Sequence, residues 1–206
     1  MSKERLIAFT DAVLAIVMTI LVLELQLPAA PTLEALLALT DQFIAYAVSF
    51  FWLSVMWVNL HNEWEQVEQV TLSMIWWNLF LLFVTAVLPY GTRFASLYFN
   101  HYFAQLFYGL LVFLITVAFY GLCHATAKSN PETTVRHSQR FLRIEVLDHV
   151  IKLVGLLLGL VYPPLIMFAV IVTAVIVLFS IQHYIYCSAI RKKERKEGIS
   201  YEKQSH

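Results

Sequence analysis

From Ala12 to Leu25 the chain is apolar except for Thr19 and Glu24, and a carboxylate, Asp11, stands at the head of that run. A stretch of this length and composition crosses a bilayer as a helix. In hydrocarbon every backbone N–H and C=O must be bonded within its own segment. Asp11 then lies about two turns into a membrane helix that begins near Arg5. An ionisable group at such a position faces a protein interior or a watery path rather than lipid. The first helix therefore needs partners for Asp11, and the rest of the chain must supply them.

Composition agrees with a membrane-embedded chain. Of 206 residues, 60% are hydrophobic and 14% charged, and the mean hydropathy is +0.70. A soluble domain carries about a quarter charged residues. The expected class is an all-α integral membrane protein. Net charge is zero, so no bulk attraction to nucleic acid is implied. Cys123 and Cys187 have no metal-ligand spacing and read as buried thiols. The N-terminal run is long, contains Asp11 and ends on no small-residue cleavage site, so it reads as a span rather than a signal peptide.

Apolar runs and breakers predict six transmembrane helices, at about 5–26, 40–61, 70–89, 102–126, 147–162 and 165–187. Pro28 and Pro31 end the first, Pro89 the third, and Pro163-Pro164 separates the last two. The fifth starts with Asp148, His149 and Lys152 and resembles an interfacial helix there. Residues 1–190 form the transmembrane domain and 191–206 a basic tail. All but one of the 14 Lys and Arg fall at the N-terminus, in the loop after the fourth span with its flanks, or in the tail. The exception is Arg93. Both termini are then cytoplasmic by the positive-inside rule. The loop after the second span, with Glu63, Glu65 and Glu68, lies on the same side. Trp64 sits near a predicted end and suits an interfacial belt, whereas Trp52, Trp57 and Trp76 suit helix packing.

At about 100° per residue, Ile16, Thr19, Ile20 and Leu23 share one face of the first helix, and Asp11 projects about 140° from Ile16. The second span delivers His61 to the cytoplasmic end, and the third starts there with Asn78 near by. Asp11, His61 and Asn78, with Arg5, form a candidate network at the depth of Thr10. Such a network either pins helices together or serves as a pathway for protons. The apolar stripe is either a packing face or the wall of a pore. Glu24, near the outer end, is a candidate for a cation-concentrating vestibule. His61-Asn62-Glu63-Trp64-Glu65 is not a His-Glu-x-x-His zinc motif. With no nucleophile–base pair and no metal cluster, no enzyme and no bound metal or other cofactor are expected.

The signature Arg5-x-x-x-Phe9-Thr10-Asp11 resembles the Arg-x-x-x-Phe-Ser-Asp motif of the transmembrane protein 175 family, potassium channels of endosomes and lysosomes and their bacterial relatives. Thr10 replaces the usual serine and keeps the hydroxyl. The second span, with Trp52, Trp57 and His61, and the third, with Asn78, Leu81-Leu82-Phe83 and Pro89, extend the likeness. It implies a six-helix subunit that forms a homotetramer in a bacterial inner membrane, contacting lipid and conducting potassium ions. The first helices would line the pore, with Ile16 as constriction, Ile20 and Leu23 lining it further out, and Thr19 biasing cation preference. Arg5, Phe9, Thr10, Asp11, His61 and Asn78 would form the polar network beside the pore. There is no Thr-Val-Gly-Tyr-Gly carbonyl filter and no Arg-rich voltage sensor, so selectivity would arise at a side-chain ring. The alternative is a proton-coupled secondary transporter using Asp11 and His61. Against it stands the absence of Gly/Pro-interrupted midplane segments.

Overall fold

In the computed structural model, which describes residues 2–65, 67–129 and 138–179, the apolar runs are helical. The elements are α1 (Lys3–Leu23), α2 (Leu33–Leu37), α3 (Thr40–Glu65), α4 (Leu72–Ala86), α5 (Leu88–Leu97), α6 (Tyr102–Ser129) and α7 (Ser138–Leu158), followed by α8 (Leu165–Phe179). No strand occurs among the described residues. Four helices are long and apolar enough to cross a membrane: α1, α3, the continuous Leu72–Leu97 unit and α6. The chain is thus an all-α integral membrane protein. The tail 191–206 and the end of the predicted sixth span lie outside the described residues.

Pro89 does not end the third span. The helix tightens at Val87, whose N–H bonds to Val84 O at 3.1 Å, and resumes as α5 with the proline in its first turn. Proline lacks the N–H that the Thr85 carbonyl would need and its ring crowds that carbonyl, so the ladder bends. In a first turn that N–H would be unbonded anyway. The fifth helix also begins earlier than expected, at Ser138 rather than near 147. The break at Pro163-Pro164 is where the prolines put it, in the turn between α7 and α8.

α6 is the hub, packing on α4, α5 and α7, while α3 lies against α5 and α1. Several polar groups inside this bundle bond across helices. Ser49 of α3 bonds to Thr92 of α5 at 2.8 Å and to the Tyr108 hydroxyl of α6 at 3.1 Å. Lys152 of α7 does not join the cytoplasmic charges that its sequence position suggests. It is buried, with its ammonium 2.6 Å from Asp148 Oδ2, 2.7 Å from Thr116 Oγ1 and 5.5 Å from the Trp52 ring centre. Glu63 belongs to α3 rather than to a loop and is buried beside Thr126. Trp64 is buried too, not part of a belt, and Trp76 is exposed rather than packed.

α7 and α8 meet through small residues. A Cβ on Gly155 would stand 2.4 Å from the Ala169 Cβ, and a Cβ moves only if its backbone moves. Gly155→Ala should therefore force the two helices apart and cost about 1–3 kcal/mol, the usual cost of overpacking. Unfolding of the detergent-solubilised variant measures this; an unchanged midpoint would show that the contact yields freely.

Candidate functional site

α1 is held on one side and bare on the other. Leu6, Thr10, Leu14, Val17 and Leu21 recur at helical spacing and are buried, which makes that side the contact with α3 and α4. Only 28% of its apolar window is covered by the rest of the chain, against 56% for α6.

Two adjacent residues set its rotation. The buried Thr10 hydroxyl donates to Leu6 O at 2.8 Å and accepts from Asn78 Nδ2 of α4 at 2.9 Å. Asp11, the next residue, points about 100° further round the helix. Its Oδ1 accepts the indole N–H of Trp57 on α3 at 2.9 Å. Bonds to two different helices from neighbouring positions leave α1 little freedom to turn. Lys3 adds a third tie, donating to Val67 O at 2.7 Å.

The network expected around Asp11 is therefore two separate sets. Asn78 meets Thr10, not Asp11. His61 stacks on Trp57 with ring centres 6.1 Å apart and lies 3.6 Å from the Glu65 carboxylate, so it reaches Asp11 only through the indole. Arg5 and Phe9 are exposed and join neither set among the described residues. Trp57 was missed as the partner of Asp11. It stands one helical turn before His61, on the same face, and that spacing was the available signal.

The fixed rotation turns the stripe outward. Ile16 is 58% and Leu23 78% exposed within the single chain; Thr19 is exposed and Ile20 half-buried. Phe9, 50% exposed, falls about 20° from Ile16 on the same face. The Thr19 hydroxyl donates to Ile16 O at 2.8 Å. Its proton is thereby engaged, and its lone pairs are the part of the group left for an outside partner. Glu24 is not an unpaired carboxylate: its Oε2 takes a bond from Arg93 Nη1 at 2.7 Å.

These features define a polytopic helical membrane protein whose first helix is anchored along one side and uncovered along the other. Comparison with known proteins shows which family it resembles. The sequence profile of the family described as "Endosomal/lysosomal potassium channel TMEM175" matches residues 5–89, the first two spans and most of the third. A potassium channel of Chryseobacterium sp. (strain P1-3) is 41% identical over 93 residues, covering 45% of this chain and 48% of that protein. One of Streptomyces collinus is 32% identical over 126 residues, covering 57% and 61%. The chain thus aligns with about half the length of these curated relatives. A crystal structure of a lysosomal potassium-selective channel TMEM175 homolog from Chamaesiphon minutus superposes with a TM-score of 0.76 at 26% identity, covering 86% of this chain and 97% of that one. Residues 5–89 thus match the TMEM175 family, and most of the chain shares the fold of that TMEM175 homolog.

Proposed function

We propose that the chain is the subunit of a homotetrameric, potassium-preferring cation channel with six membrane spans, both termini cytoplasmic, in a bacterial inner membrane. α7 and α8 supply the fifth and sixth spans in this reading. Four copies of α1 surround the axis, with Ile16 as the narrowest ring and Ile20 and Leu23 beyond it. Thr19 offers hydroxyl oxygens to a partly dehydrated potassium ion. The observation that carries the proposal is the uncovered Ile16 face of α1, held in place by Thr10–Asn78 and Asp11–Trp57. Lipid could cover a purely apolar stripe, but this one carries the exposed Thr19 hydroxyl and ends at Glu24, which suits a wall facing ions and water better than a lipid face. An apolar ring controls ions by excluding water. The relatives named as potassium channels support the ion.

A proton-coupled transporter would need a relay from Asp11 to His61. The group between them is an indole, which donates a hydrogen bond but accepts none, so the geometry favours the channel. Recording purified protein in bilayers under potassium/sodium bi-ionic conditions tests the proposal. The current should reverse at a potential displaced toward potassium equilibrium and follow the ion gradient alone. Flux locked to a fixed proton stoichiometry, or no current, would overturn it.

A further inference from the structure

We infer that Arg93 governs cation access at the outer mouth of the pore by cancelling the charge of Glu24, an inference that rests on the channel reading above. Glu24 follows Leu23 and caps the C-terminal end of α1. Helix C-termini already carry partial negative charge on their unbonded carbonyls. A carboxylate there adds to that field, and nothing in α1 offsets it. The offset comes from α5, where Arg93 Nη1 lies 2.7 Å from Glu24 Oε2.

The surroundings make this counter-charge matter. At the same end of the bundle Glu34 opens α2 and Asp41 opens α3. The other Lys and Arg with described side chains, namely Lys3, Arg5, Lys128 and Lys152, lie elsewhere: at the opposite end of the bundle or inside it. Arg93 is therefore the positive side chain of an otherwise acidic mouth, repeated by the four-fold axis. The pair is partly exposed, at 48% for Arg93 and 29% for Glu24. Exposed pairs add little to stability, so the consequence lies in the local field. A mouth of unpaired carboxylates enriches cations when salt is low, and screening removes the enrichment when salt is high.

The test is unit potassium conductance of Arg93→Gln and Glu24→Gln, each confirmed as the same oligomer as the parent by size-exclusion chromatography. In about 20 mM potassium chloride, where screening extends over roughly 20 Å, Arg93→Gln should raise conductance about twofold and Glu24→Gln should lower it about twofold. In about 1 M salt, where screening acts within about 3 Å, the three proteins should converge. Both substitutions break the same bond, so a merely structural pair predicts changes of the same sign. Changes of one sign, no change, or differences that persist in high salt would overturn the inference. A parent protein without potassium current would instead remove the channel reading on which it stands.

Discussion

Ile16→Asn should give a channel that conducts more and discriminates less. In the proposed tetramer, four isoleucines on the axis would form an apolar ring where water is disfavoured and the wall offers no oxygen. Asparagine is close in size and brings an amide to the same place, so the ring hydrates. A barrier lower by about 1.4 kcal/mol corresponds to about tenfold faster passage, and we expect unit conductance to rise by roughly that factor. The potassium-over-sodium preference should fall toward unity, because a hydrated ring no longer makes the ion shed water. Ile16→Val keeps the ring apolar and should keep the preference. Bi-ionic reversal potentials on intact tetramers measure both variants. Unchanged conductance and selectivity in Ile16→Asn would place the constriction elsewhere on α1.

Asp148→Ala should destabilise the fold by about 3–5 kcal/mol. Lys152 is 5% exposed, and its only anionic hydrogen-bond partner among the described residues is the Asp148 carboxylate, 2.6 Å away. Removing it strands an ammonium inside the bundle with Thr116 and the face of Trp52 for company. Breaking a buried pair from one side costs about 3–5 kcal/mol, whereas replacing both partners with apolar groups of similar size is often neutral. The double substitution Asp148→Leu with Lys152→Met should therefore recover most of the loss. Unfolding midpoints in detergent decide the matter. An Asp148→Ala protein as stable as the parent, or a double variant no better than the single one, would mean that the pair is not what holds α7 to α6 and α3.

The sequence exposed some of these features and concealed others for physical reasons. The Ile16 face and its separation from Asp11 follow from helical period alone; in the structure Ile16 is exposed and Thr10 buried. Asn78 was legible as a partner at the right depth, since membrane topology brings the start of α4 to the start of α1. Which residue it would meet was not legible: Thr10 and Asp11 are adjacent in sequence, and a rotation of about 100° decides between them. Pro89 misled because a proline at a helix end and one at the start of a new segment look identical until packing is known, and here α6 lies along α5 and supports the continuation. Lys152 misled because a basic residue near a predicted span end is usually solvated. Asp148, one turn earlier, was the sign that it could turn inward. Arg93 stood out only as an exception to the charge rule, with nothing in the sequence to tie it to Glu24, 69 residues away.

Among the described residues, side-chain hydrogen bonds tie α1 to the rest of the chain up to Asp11 and again from Glu24 on, with none between. Lys3, Thr10 and Asp11 hold its first half. Glu24 and, just past the helix, Gln26 hold its far end: the Gln26 backbone N–H donates to Gln42 Oε1 and Gln42 Nε2 donates to Gln26 Oε1, both at 3.0 Å. A helix held on either side of Ile16 cannot twist to turn that residue without undoing one set of ties. In the proposed tetramer, opening is thus left two routes: the subunits tilt as whole bodies, carrying α3, α4 and α5 with α1, or the isoleucine side chains change rotamer on a stationary backbone.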